Sequence, residues 1–289
     1  METSQIAADP ALAVLPQCGD TPCSCGGGGA GAAAPSFVYA LGRIEPRFPR
    51  VSVERELAQA IGRDETSGLA DRQALQRVLA NPANRYLARQ LCWVLSIEGL
   101  ETYLLQPRHP VDFELLVEAL RPTPRPTDVD VVIGLKGPVA SPEVCNGLLV
   151  PIVAFDQIYS FSSDQLLAAV PRPEGTEEER FRPSLEEVFS RVRLMTDNAG
   201  ATDEHRALNY LAVRYPAIYT KTAEYHGSNW SLTGVEVRPS RLSTIRRIVD
   251  VIFTYTHRNT DVAEKQLARV DVTDEFPFLT TRLSPYFDR

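Results

Sequence analysis

Val249-Asp250-Val251-Ile252-Phe253-Thr254-Tyr255-Thr256 is the stretch whose reading settles the fold class. Val249, Val251, Phe253 and Tyr255 fall on one side of an extended chain and Asp250, Ile252, Thr254 and Thr256 on the other, the two-residue period of a strand. Similar strands can be drawn over residues 232–237 and 266–272, so this end of the chain predicts an antiparallel sheet. Upstream the period becomes helical. Ser162 with Gln165 and Ser184 with Glu187 are capping-box patterns, and Thr202 or Asp203 caps a helix running through Tyr215 that Pro216 ends.

Further back, residues 129–135 and 148–155 read as buried strands, and Pro110 opens a helix to Leu120. Residues 92–97 and 102–105 form a hairpin around Glu98-Gly99. Helices are expected over 53–61, with Ser52 as N-cap, over 71–79 and over 85–90, and a β-rich run over 37–41 ends at Gly42. The expected fold is therefore α+β: one domain over residues 36–289 with antiparallel sheet and packed helices. A flexible Ala/Gly-rich arm over residues 1–35, with the run Gly26-Gly27-Gly28-Gly29-Ala30-Gly31, precedes it.

The 289 residues are 44% hydrophobic and 23% charged, enough apolar material for a substantial core. The formal charge of −7 repels phosphate, and no Lys/Arg run with interleaved aromatics offsets it, so nucleic acid is not expected as a partner. The start lacks the basic and apolar regions of a signal peptide, and the longest nearly apolar stretch, 147–155, is too short to span a bilayer as a helix. These features predict a cytoplasmic protein without membrane association. Its five cysteines are then expected to be reduced.

Cysteine is the strongest chemical signal. Cys23-Ser24-Cys25 sets two thiols close together on a pliable turn, and Cys92 and Cys145 supply two more from the body, a ligand set suited to zinc. The competing reading of Cys92, in an apolar strand, is a buried small hydrophobe. His109, His205, His226 and His257 lie in no nucleophile signature, there is no Gly-x-Ser-x-Gly elbow, and the glycine run lacks the lysine of a phosphate loop. The carboxylate pairs Asp128/Asp130 and Glu186/Glu187 read as solvated. Asp197 to Arg206 is the densest polar segment; it reads either as a pocket wall or as a well-capped helix start.

Several strings act together: Cys23-Ser24-Cys25-Gly26, then Phe37-Val38-Tyr39-Ala40-Leu41-Gly42-Arg43-Ile44-Glu45-Pro46-Arg47-Phe48-Pro49, then Arg89-Gln90-Leu91-Cys92-Trp93. With residues 97–103, Cys145-Asn146-Gly147-Leu148, Phe155-Asp156-Gln157-Ile158-Tyr159, residues 197–214 and Leu283-Ser284-Pro285-Tyr286, they resemble the C-terminal domain of unknown function of PatG-type cyanobactin maturation proteases. The resemblance spans nearly the whole chain after its first residues. It implies a free-standing relative without protease or oxidase domains, like proteins of the crocagin-type ribosomal peptide pathways.

On that resemblance the protein is expected to bind a precursor peptide, without transforming it, and to present it to separate modifying enzymes, as a homodimer. The resemblance also implies a structural zinc held by Cys23, Cys25, Cys92 and Cys145, with Cys18 outside the pattern. Addition of the peptide as a strand to an exposed sheet edge is the expected mode. The alternative is a zinc- or cysteine-dependent enzyme acting on the same peptide, which would need an open metal position or a thiol beside a base.

Overall fold

The computed structural model describes residues 35–63, 69–170, 178–193, 197–243 and 245–287. Strand β1 (Phe37–Arg47) serves two neighbours. Residues 37–42 pair antiparallel with β4 (Asp128–Val139), and residues 43–47 pair antiparallel with β2 (Cys92–Ile97). β2 forms a hairpin with β3 (Leu100–Pro107), β3 runs parallel to β5 (Pro151–Ser162), and β5 returns antiparallel to β4, closing a five-stranded barrel. With helix α4 (Phe113–Ala119) between β3 and β4, this strand order is that of an OB-fold.

Gly42 does not end β1, as its composition suggests; it is the point where the strand changes partner. A Cβ there would lie 2.5 Å from the Ser96 carbonyl oxygen, so glycine permits the close approach that turns the barrel corner. Beside it, Asp130 completes the seam. Its carboxylate accepts from Ile44 N (2.8 Å) and from Ser160 Oγ (2.6 Å), and Arg121 lies 3.4 Å away. Asp128 accepts from Arg125 N at 2.7 Å. These two carboxylates are buried, contrary to the solvated reading, because the seam needs acceptors that a ladder does not supply.

Between β1 and β2 the chain inserts α1 (Val51–Arg63), α2 (Asp71–Ala80) and α3 (Arg85–Gln90), which with α4 close one end of the barrel core around Trp93, Leu95, Leu105 and Phe155. Trp93 donates its indole N–H to Ala88 O at 2.8 Å. After β5 come α5 (Ser163–Ala168), α6 (Glu178–Arg193), α7 (Asp203–Arg214) and α8 (Ala217–Gly227). A four-stranded antiparallel sheet follows in sequence order: β6 (Trp230–Pro239), β7 (Ile248–His257), β8 (Ala263–Asp271) and β9 (Phe278–Tyr286). Val249, Val251, Phe253 and Tyr255 all enter the core shared with α6–α8 and the outer face of β1 and β4, as their alternation requires.

Other boundaries differ from the sequence reading. Ser52 lies inside α1. Ser184 lies inside α6 and donates to Phe181 O, so it does not start that helix. Ser162 is the N-cap of α5, yet its hydroxyl pairs with Thr127 and leaves the helix N–H groups alone. The strand drawn from 148 begins at Pro151.

Where β1 pairs only with β4, its other edge is left open, and residues 197–209 fill it. Tyr39 N donates to Gly200 O (2.8 Å), and Asn209 Nδ2 donates to Tyr39 O (2.8 Å). Asn209 and Asn198 exchange side-chain bonds at 2.8 and 3.1 Å, and Asn198 also reaches Val192 O. Gly200 has φ +71°, and a Cβ there would meet Tyr39 O at 2.4 Å. Gly200→Ala should therefore cost at least about 2 kcal/mol, through both the positive φ and the clash, as read by urea denaturation.

Candidate functional site

Of the four cysteines expected to share a metal, two are among the described residues. Cys23 and Cys25, like Cys18 and most of the glycine-rich arm, lie outside the described residues. Cys92, at the start of β2, and Cys145, in the 140–150 loop, are brought together with Cα atoms 6.0 Å apart and are joined as a disulfide, which corrects the expectation of free thiols. Both are buried, under a small apolar cluster with Val94, Leu104 and Ala140. The outward face of β2 and β3, where OB-type barrels take oligonucleotides and oligosaccharides, is thus covered by the chain's own loop. Two soft donors at this spacing fit half of a tetrathiolate zinc site once reduced; as a disulfide they hold no metal. Among the described residues no three His, Cys, Asp or Glu side chains converge as a metal site.

A carboxylate pair that sequence separation hid joins β5 to the turn after β8. Arg108 bridges Asp156 (2.7 Å) and Glu275 (3.1 Å). Burial, and then the neighbouring Asp156, push the Glu275 carboxyl above its ordinary range, against the pull of Arg108. The three side chains form an ion cluster in which Glu275 Oε1 is buried with no hydrogen-bond partner among the described residues. Glu186 and Glu187, by contrast, form exposed pairs with Arg182 and Arg191.

A groove on the helical end of the barrel has no such internal partner. Leu79, Ala88, Phe113 and Val117 floor a cavity of 430 Å³ between α2, α3 and α4, with Val111 at its rim 66% exposed. One wall is basic, Arg85 and Arg89 from α3; the other is acidic, Glu114 and Glu118 from α4. Arg85 and Glu114 meet across it at 2.8 Å. Arg89 and Glu118 form no ion pair among the described residues. In the sequence these are two like-charge pairs four residues apart, each slightly unfavourable in an isolated helix, and the fold sets the two pairs of opposite sign on facing walls.

The comparisons with known proteins cover the C-terminal part by a family model and most of the chain by fold. A family model described as PatG C-terminal matches residues 175–286. Residues 175–286 are of the PatG C-terminal type. A solved structure, that of a PatG domain of unknown function, shares the fold at a TM-score of 0.69 and 22% identity, covering 87% of this chain and 98% of its own. No curated protein matches the chain.

Within the PatG C-terminal-type region, the polar segment proves to be a capped helix start built into the core. Thr202 Oγ1 accepts from His205 N at 3.2 Å. Arg206, 1% exposed, donates to Val272 O (2.8 Å), Asp274 O and Glu275 O (3.2 Å), tying α7 to the turn after β8. Burial lowers its guanidinium to about 10, resisted first by Asp203. His226 closes α8, and His257 caps the turn after β7 with Asn259 N and Thr260. The side chains of Asn198, Thr202 and Arg206 serve the fold.

His205 keeps a buried Nδ1 with no hydrogen-bond partner among the described residues. Burial holds its imidazole below the ordinary range, against Glu204 and Asp197. Because the folded form binds its proton less readily, the unfolded chain takes up more protons just below the usual histidine pKa, near 6.5. Stability should therefore be full above that pH and fall as the pH drops towards the depressed value. In His205→Gln that part of the acid sensitivity should vanish, which thermal melts between neutral and mildly acidic pH would read.

Proposed function

We propose that this chain acts in a cyanobactin-type pathway as a non-catalytic protein that binds a precursor peptide and presents it to separate modifying enzymes. The observation that carries the reading is the α2–α3–α4 groove: an apolar floor between two charged walls, with no histidine, cysteine, serine or threonine lining it among the described residues. Such a surface binds and orients but lacks a nucleophile or an activated base. The motif strings of the region hold the barrel seam and the α7 start, which leaves recognition to other surfaces.

Strand addition would have to use an outer strand of the four-stranded sheet, β6 or β9. The barrel has no free edge where β1 changes partner, and on the outer strand β9 the Leu283 N–H is taken by Tyr215 OH at 2.9 Å while Pro285 lacks an N–H altogether. The groove offers the better seat. Titration of the purified chain with the precursor peptide encoded beside its gene should give saturable binding. Mass spectrometry of the same mixture should return the peptide unchanged, and a new mass produced by the chain alone would replace this reading with an enzymatic one.

The reading includes a structural zinc held by Cys23, Cys25, Cys92 and Cys145 as thiolates in the reduced protein. It would tie an N-terminal segment to β2 and the 140–150 loop, adding stability and no open coordination position. Reduced protein should carry about one zinc per chain by elemental analysis. Cys23→Ser or Cys145→Ser should lose the metal and lower the melting temperature, and Cys18→Ser should leave both unchanged. Metal-free reduced protein with an unaltered melting temperature would assign Cys92 and Cys145 to a disulfide alone.

A further inference from the structure

From the make-up of the groove we infer that its occupant is a short amphipathic helix of the peptide, with a carboxylate turned to Arg89 and a cation to Glu118; this rests on the peptide-binding reading above. The groove is walled by helices, which present side chains to it and no strand edge with a ladder of N–H and C=O groups for an extended chain to pair with. A peptide lying there in extended form would leave its own N–H and C=O groups unpaired over Leu79, Phe113 and Val117. A helical segment satisfies those groups internally and brings only side chains to the floor.

The charges set its direction. Arg85 and Arg89 stand four residues apart on α3, and Glu114 and Glu118 four apart on α4, so each wall repeats at one helical turn, the repeat an incoming helix also has. The Arg85–Glu114 bridge joins the walls at one place and satisfies both. Arg89 and Glu118 are left to meet the ligand. A helix carrying an apolar stripe, with acidic residues on one flank and basic residues on the other, matches this pattern in one orientation and meets like charges in the other.

The test uses the fluorescein-labelled precursor peptide encoded beside the gene, with anisotropy for affinity and far-UV circular dichroism of the mixture for structure. Arg89→Glu and Glu118→Lys should each weaken binding about two- to fivefold, as expected for exposed ion pairs. Val117→Asp, which puts a charge on the floor, should weaken it more than about tenfold. Arg55→Glu, exposed on α1 away from the groove, should change nothing. The mixture should show more helix than its separate components, and hydrogen exchange in the unmutated protein should slow in α3 and α4, a readout that needs no variant to fold.

Binding by the unmutated chain that survives all three groove substitutions, or that adds no helix, overturns the helix-in-groove inference and leaves peptide binding standing. No binding by the unmutated chain at high micromolar peptide overturns both.

Discussion

The barrel is closed by one strand that must serve two partners. β1 can pair with β4 and then with β2 only by leaving half of one edge without a ladder, and a buried N–H or C=O without a partner costs about 1–3 kcal/mol. Tyr39 solves this with Gly200 and Asn209, and Ile44 solves it with Asp130. Much else follows from that requirement: the absent side chain at Gly200, the reciprocal amides of Asn198 and Asn209, the buried carboxylate on β4, and the docking of α7 against the barrel.

The same requirement explains why the most recognisable sequence strings are poor guides to activity. Residues 37–49 and 197–214 meet in space because they form and seal the seam. Asn209, Arg206 and Gly200 look like site residues in a linear reading, being polar or conformationally special and close together. In the fold each is spent on a backbone group of another element. A surface whose side chains are not spent on the seam, such as the α2–α4 groove, is a place where a ligand can be bound without disturbing the barrel.

Local chemistry decided what could be read in advance. β7 was legible because one face, Val249, Val251, Phe253 and Tyr255, is wholly apolar and Ile252 alone interrupts the polar face between Asp250 and Thr256, and α7 because Thr202 caps it and Pro216 follows it. Features set by distant contacts were not. α8 was missed because Pro216 reads as a stop, whereas it starts the next helix, whose buried side includes Thr222 and Tyr219. β9 was missed because an outer strand containing Pro285 has neither the alternation nor the composition of a buried one. Cys92 and Cys145, 53 residues apart, were grouped by residue type and by resemblance, but their direct contact needed the fold; so did the groove, because the like-charge pairs of α3 and α4 do not say that the two helices are neighbours.

The span between Tyr39 and Asn209, 170 positions, also has a bearing on how the chain is made. A ribosome releases β1 first, but its pairing partners on β4 and the residues that seal its open edge emerge much later, at rates of about 5–20 residues per second. Until residue 209 has left the exit tunnel, an apolar strand with exposed backbone groups waits in the cell beside other nascent chains. The helices α1–α3, which follow β1 at once and build from local contacts, are the first elements available to shelter it. The insertion that walls the groove thus doubles as early cover for the strand on which closure of the barrel depends.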